Sequence, residues 1–276
     1  MDGEALRHNV EVFSRLAGGR PILAVIKNNA YGLGLTTVAQ HLEPLDQIRG
    51  FAVVKREAAI ARRDSGVEKP VLLMGLFGEE AGVELARRNV ELAITTDDSP
   101  TRVANAIRGV TQPPGVQIYI DTGMSRMGLP YHRALPVLEE LAGLEVNVRG
   151  TFMAFTEDGD FDREQLDRFS GLAQSAQSRG IELGPLHAAS SHGVFNFPDS
   201  HLDLVRPGIA LYGAYPSDAQ SERRIGELRA ALSLKARVVR VEQLRPGDGV
   251  SYGRNYVASR PTWIATVPVG HTCLLY

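Results

Sequence analysis

The sequence has one cysteine, Cys273, among 276 residues. A single thiol excludes an internal disulfide, and a reducing cytoplasm is the simplest compartment for such a chain. No apolar run approaches the length of a membrane span. The first residues, MDGEALRHNVEVF, lack the basic start and apolar centre of a signal peptide. Neither sign of charge is in excess: 30 basic residues stand against 32 acidic ones, a formal net charge of -2. That balance offers no basic face for nucleic acid or an acidic membrane. A Walker-type or dinucleotide glycine fingerprint is also missing. His187, His192 and His201 do not have the spacing of metal ligands, so no metal site is expected. Cys273 stands in no recognisable setting.

What the sequence does have is alternation. Short apolar runs fall at residues 21–27 (PILAVIK), 50–54, 70–75, 91–96, 115–121, 146–155, 183–189 and 204–212. Segments with helical spacing lie among them, such as 4–16, 133–144 and 162–179. Near-continuous apolar runs suit strands buried on both faces, and strand-helix alternation implies a parallel sheet with right-handed crossovers. Eight repeats predict a closed (β/α)8 TIM-like barrel over residues 1–222, with a doubly wound open sheet as the alternative. Beyond about residue 220 the pattern changes. Residues 228–241 and 261–269 read as longer strands with partial alternation, separated by a turn at Gly247 and Gly249. Residues 223–276 therefore read as the start of a β-rich second domain, truncated at its C-terminal side.

Active sites of such barrels lie at the C-terminal ends of the strands. Lys27 ends the first apolar run, and Asp121–Arg126 (DTGMSR) follow the fifth. His187 to Ser191 close the seventh, and Arg206 interrupts the eighth. A lysine at the end of a buried run is costly unless it is paired, neutral or covalently used. Schiff-base chemistry wants such an amine, whereas the plainer reading is a side chain snorkelling to solvent. Arg206 needs buried acceptors, supplied either by an internal ion pair or by a cofactor. Ser190, Ser191 and the amides near Gly208 and Ile209 could form a phosphate cup, although serine and glycine after a strand usually mean only a turn.

Several stretches together are more specific. AVIKNNAYGLG (24–34) resembles the pyridoxal-phosphate (PLP) lysine motif of the alanine racemase family. IDTGMSRMG (120–128), VRPGIALYG (205–213) and ALSLKARVVRVEQLRPGDGVSYGRNY (231–256) resemble later blocks of that family in the same order. The VSYGRNY segment discriminates best, because other PLP barrels share only the lysine. The resemblance implies a PLP-dependent interconversion of L- and D-alanine that supplies peptidoglycan, in a cytoplasmic homodimer. It implies that Lys27 bears PLP and that Tyr31, Ser191 and the amides of Gly208 and Ile209 hold the phosphate. Arg126 would lie near the phenolic oxygen, and Arg206 would face the pyridine nitrogen. Guanidinium only donates, so that nitrogen would stay unprotonated and the ring a weaker electron sink, which limits side reactions. Lys27 and Tyr252 would be the bases on opposite faces of Cα, with Tyr252 reaching the site from the partner subunit. A tyrosine needs a cationic or hydrogen-bonding neighbour to act as a base near neutral pH.

The sequence departs from the family pattern at three places. Ala154 in GTFMAFT stands where the family usually has a histidine that orients the catalytic tyrosine, which implies a less well poised Tyr252. Ser190 stands where asparagine is common. PVGHTCLLY replaces PVGYADG, with His271 in place of a tyrosine. The alternatives are a non-catalytic PLP-binding barrel and a racemase of another amino acid such as serine. PLP-dependent decarboxylases of the same barrel type fit DTGMSRMG and VSYGRNY poorly.

Overall fold

The computed structural model describes residues 1–144, 146–223 and 225–270, so Cys273 and His271 lie outside the described residues. Seven of the eight predicted runs contain strands: β1 (Ile22–Val25), β2 (Ile48–Val53), β3 (Val71–Leu73), β4 (Glu91–Ile94), β5 (Val116–Asp121), β7 (Val148–Phe152) and β8 (Leu186–His187). They pair in parallel in the order β1-β2-β3-β4-β5-β7-β8, and a two-residue strand β6 (Leu129–Pro130) pairs with the end of β5. Helices α3 (Leu35–Leu42), α4 (Arg56–Asp64), α5 (Glu79–Arg87), α6 (Ser99–Ile107), α7 (Ala134–Ala142) and α8 (Gly159–Ser178) follow successive strands.

The run at 204–212 was expected to be an eighth strand and is not one. It makes a single parallel bridge, Val205 to Ile22, and then turns into a 3-10 helix, Ile209–Tyr212. Pro207 has no N–H to extend a ladder, which is why the extended segment is short. That segment still closes the barrel. On one side the amides of Asp203 and Arg206 donate to the carbonyls of Leu186 (3.0 Å) and Ala189 (2.8 Å). On the other, Val205 N–H donates to Pro21 O (3.0 Å), and Leu23 and Val25 donate to Val205 O (2.9 Å) and Pro207 O (3.0 Å). The fold is the (β/α)8 TIM-like barrel.

Alternation along the strands separates two cores. Phe51, Val53, Leu73, Leu92, Ile94, Ile118 and Ile120 pack outward against the helices. Leu23, Val25, Ala52, Leu72, Ala93, Tyr119, Phe152 and Leu204 form a smaller inner cluster, to which every barrel segment but β8 contributes. Helix α1 (Gly3–Leu16) begins at Asp2, whose carboxylate accepts the N–H groups of Glu4 and Ala5 at 3.0 Å, a cap worth about 1 kcal/mol. Its buried Asn9 donates to Leu211 O and Arg229 O and accepts the Arg229 amide, tying residues 228–232 to the first helix.

The described chain divides into two compact units, 1–232 and 233–276, and residues 223–232 fall with the barrel. In the second unit β9 (Arg240–Leu244) pairs antiparallel with β12 (Thr262–Thr266), and β10 (Gly249–Val250) with β11 (Tyr256–Val257). Residues 228–241, read from sequence as one long strand, are extended ladder only from Arg240 onward. A strand exists only where a partner supplies the hydrogen bonds, and β12 reaches no further than Arg240 in register.

The turn after β1 carries unusual backbone strain. Asn28, Asn29, Ala30 and Tyr31 have φ of 52°, 55°, 53° and 55°, a single left-handed helical turn, α2 (Lys27–Tyr31). This conformation costs non-glycine residues about 1–2 kcal/mol each, least for asparagine. Two asparagines at its start are therefore physically suited to it, and Asn29 Oδ1 accepts the Leu35 amide at 2.8 Å. Asn29→Ala should lower the unfolding free energy by about 1–2 kcal/mol, and Asn29→Gly by less, since glycine tolerates the backbone. Urea denaturation of both variants checks this; equal losses would mean that the handedness of the turn is not what asparagine supports.

Candidate active site

The left-handed turn brings Lys27 and Tyr31 to the C-terminal end of β1, with Lys27 Nζ 5.8 Å from the centre of the Tyr31 ring. Tyr31 is half-buried, and burial pushes its hydroxyl up to about 12, so it stays a donor. Its ring lies 4.9 Å from that of Tyr212, whose own hydroxyl donates to Val25 O (3.3 Å). The Tyr31 hydroxyl rests directly on Gly208. A Cβ at residue 208 would come within 2.4 Å of that oxygen, so a side chain there would displace it. Close approach, rather than a positive φ, is what this glycine provides.

Opposite stands Ser191, 5 % exposed at the start of the short helix α9 (Ser191–Asn196). Its Oγ accepts the amides of Gly208 (3.0 Å) and Ala210 (3.3 Å), which leaves the hydroxyl proton to donate. Ile209 opens the following 3-10 turn, where a backbone N–H has no intrahelical acceptor. Ser190 is used differently: its hydroxyl accepts the His192 amide (3.2 Å) and caps α9. Tyr31, Ser191, Gly208 and Ile209 are thus brought together at one side of the barrel mouth.

Arg206 is buried inside the barrel and forms no ion pair among the described residues, so the internal ion-pair reading of the sequence does not hold. Nη1 donates to His187 Nδ1 (2.9 Å) and His187 O (2.7 Å), while Nη2 donates to Met153 O and Ala188 O. All four terminal N–H bonds are committed, and the Nε–H is the donor that remains. The guanidinium carbon also lies 5.1 Å from the centre of the Phe152 ring. Burial lowers the Arg206 pKa to about 10, with Tyr119 opposing, and the group is cationic at neutral pH.

Because Arg206 can only donate, His187 Nδ1 must accept and the proton sits on Nε2. Burial first, then the charges of Arg206 and Arg49, hold His187 well below the usual histidine range. Such a base is neutral when folded but binds a proton when unfolded below about pH 6.5. Its stabilising contribution is therefore lost as pH falls through that value, with a slope of up to about 1.4 kcal/mol per pH unit. Wild type should lose stability between pH 6.5 and 5 faster than His187→Gln does; parallel curves would contradict a buried neutral imidazole.

Arg126 lies in the exposed turn after β5, shaped by Asp121, whose Oδ1 accepts the amides of Gly123 (2.9 Å) and Ser125 (3.1 Å). Among the described residues, no hydrogen bond joins Arg126 to Lys27, Tyr31 or Arg206. Ala154 packs beside the inner cluster and offers only its carbonyl, which accepts from Gln165 Nε2 (3.2 Å). Sequence reasoning missed Gln165. This buried glutamine on α8 also donates to Thr122 Oγ1 (3.1 Å) and accepts the Thr156 amide (2.9 Å), clamping the ends of β5 and β7. A glutamine within the apolar stripe of 162–179 was the available signal. Tyr252 belongs to the second unit, 98 % exposed in a 3-10 turn after Ser251.

The fold and this residue set define a parallel barrel with a lysine, two hydroxyls and a closely approached glycine at its C-terminal mouth and a donor-only arginine in its interior. Comparison with known proteins is specific. The family described as "Alanine racemase, N-terminal domain" matches residues 1–216, and "Alanine racemase, C-terminal domain" matches residues 231–272. The chain belongs to the alanine racemase family. It is 34 % identical to an alanine racemase of Carboxydothermus hydrogenoformans over 272 residues, covering 97 % of this chain and 73 % of that one. It is 33 % identical to one of Desulforamulus reducens, with 97 % and 74 % covered. The structure superposes on alanine racemase of Clostridium difficile 630 with a TM-score of 0.84 at 29 % identity, covering 97 % of this chain and 71 % of that chain. Biosynthetic alanine racemase from Pseudomonas aeruginosa gives 0.84 at 29 %, covering 98 % and 74 %.

Proposed function

We propose that this chain interconverts L- and D-alanine, with PLP held on Lys27, and so supplies D-alanine for the cell wall from the cytoplasm. The observation that carries the reading is the convergence of Lys27, Tyr31, Ser191 and Gly208 at one mouth of a barrel whose interior presents Arg206. PLP fits this set. The hydroxyls of Tyr31 and Ser191 and the Ile209 amide would hold the phosphate, with no carboxylate among them; the Gly208 amide is given to Ser191 Oγ, and this glycine serves by close approach. The one donor of Arg206 not otherwise engaged, Nε–H, would serve the pyridine nitrogen. When bound, PLP supplies the electron sink that acidifies the Cα proton of the amino acid. Arg206, fixed by three carbonyls and His187, limits that sink because it gives no proton to the ring nitrogen. Arg126, on its exposed turn, would serve the phenolic oxygen.

The Lys27 amine moves the proton on one face of Cα. Tyr252 serves the other face from a second subunit, which makes the active form a homodimer. The exposure of Tyr252 supports this, since a catalytic tyrosine donated in trans is bare in a single subunit. A mixing experiment tests the arrangement. Lys27→Ala and Tyr252→Phe are each inactive, but in mixed dimers one of the two sites has both intact groups. Random exchange makes half of the dimers mixed, so about a quarter of wild-type activity should return. No recovery on mixing, with exchange verified by mass, overturns the trans placement.

One observation favours a second reading. Ala154 has no side-chain hydrogen bond to steady a tyrosine, as suits a barrel that carries PLP without turnover. Under that reading Ala154→His changes nothing; under the racemase reading it raises kcat.

A further inference from the structure

Behind Arg206 a line of buried polar side chains runs the depth of the barrel. Arg206 Nη1 donates to His187 Nδ1 (2.9 Å), His187 Nε2 donates to Gln117 Oε1 (2.9 Å), and Gln117 Nε2 donates to Glu91 Oε2 (2.6 Å). All four residues are at most 6 % exposed. Strand alternation places them inside: Glu91 shares the parity of Ala93, Gln117 that of Tyr119, and Arg206 that of Leu204, all members of the inner cluster. His187 stacks on the inner Phe152, with ring centres 5.3 Å apart.

The polarity of this line is fixed from the Arg206 end. Arg206 can only donate, which forces the His187 proton onto Nε2 and turns Gln117 Oε1 toward it. At the far end Gln117 Nε2 donates to Glu91 Oε2, which agrees with that orientation. A neutral line between two blunt ends would have a free choice of tautomer and amide flip; this one has none. Glu91 is the first residue of β4, at the mouth opposite the cofactor cradle. It borders a cavity of about 150 Å³ lined also by Arg63, Asn89, Asn147 and Arg149. Burial pushes the Glu91 carboxyl above the usual carboxylate range, with the Gln117 hydrogen bond and the charges of Arg149, Arg49 and Arg63 opposing it.

We propose that Glu91 and Gln117 are positioning residues of the racemase site: acting through His187 from the far end of the barrel, they hold its Nδ1 as an acceptor and so keep Arg206 aimed at the pyridine nitrogen. The proposal rests on the placement of Arg206 given above. Side chains this far from the substrate act only through orientation, and loss of such support typically costs about 10–100-fold in function at sites held by an outer shell.

The test is Gln117→Glu in the PLP-loaded protein. A carboxylate at 117 accepts from His187 Nε2 and favours imidazolium, which places an N–H against Arg206. The ring nitrogens of His187, assigned in a long-range 1H–15N spectrum by comparison with His187→Gln, should change from a neutral Nε2–H tautomer to the doubly protonated form. At the same time kcat should fall at least about tenfold with KM within about twofold. A neutral His187 with unchanged kcat overturns the proposal. Should Gln117→Glu not fold, isosteric Glu91→Gln gives the same decision: the His187 Nε2–H resonance should shift as the terminal carboxyl becomes an amide, and an unmoved resonance overturns the relay. The imidazole spectrum needs no turnover. A wild-type protein without racemisation therefore sinks the functional reading, whereas an unresponsive His187 sinks the relay alone.

Discussion

Lys27→Ala removes all cofactor that borohydride can fix to the protein, and racemisation falls by roughly 10⁴-fold or more. Two losses coincide at this position. The amine that would hold PLP is gone, and so is the base on one face of Cα, a role worth about 10²–10⁴-fold by itself. Geometry makes replacement by a neighbour impossible: Lys27 is set at the end of β1 by a strained left-handed turn, with Tyr31 5.8 Å away and no second lysine among the residues that build the cradle. Mass spectrometry after reduction checks the first loss, and polarimetry of L-alanine the second. A reduced adduct on another lysine would refute the assignment.

Arg206→Met destabilises the barrel by about 3–5 kcal/mol, the largest stability effect expected of a single site. Three buried acceptors depend on this guanidinium alone, the carbonyls of Met153 and Ala188 and His187 Nδ1, while the His187 carbonyl also accepts the Met153 amide (3.3 Å). Each buried acceptor left without a donor costs about 1–3 kcal/mol, and local relaxation recovers part of the sum. Methionine has comparable length and flexibility, so the loss is one of hydrogen bonds rather than volume. Chemical denaturation measures it. A change below about 1 kcal/mol would mean that the carbonyls find other donors and that Arg206 is not the pin of the inner barrel.

The barrel was legible because its strands are buried on both faces, which writes them into the sequence as apolar runs. The eighth run misled by the same logic. Residues 204–212 are apolar because they are buried, but Pro207 and Gly208 convert the second half into a turn that builds the anion cradle. The 228–241 stretch misled for another reason: its alternation is genuine, but a ladder needs a partner, and β12 supplies one only from Arg240. Of the candidate site residues, Lys27, Ser191, Arg206 and Gly208 stood out because polar or glycine residues interrupt apolar runs at strand ends, whereas Tyr31 was named only through the family resemblance. Gln117 and Glu91 interrupt runs as well, and their parity with Tyr119 and Ala93 marks them as interior. They were passed over because they stand at strand beginnings, away from the mouth where barrel chemistry is sought. His187 was weighed only as a metal ligand; nothing in spacing discloses that its partner is an arginine 19 positions later.

The central claim is that Lys27 and Tyr252 exchange a proton across the two faces of alanine Cα. Proton NMR of L- and D-alanine, each incubated with the PLP-loaded protein in deuterated water, tests it most directly. The account predicts deuterium at Cα from both enantiomers, accompanied by inversion. No exchange from either one, with PLP confirmed on Lys27, would contradict it.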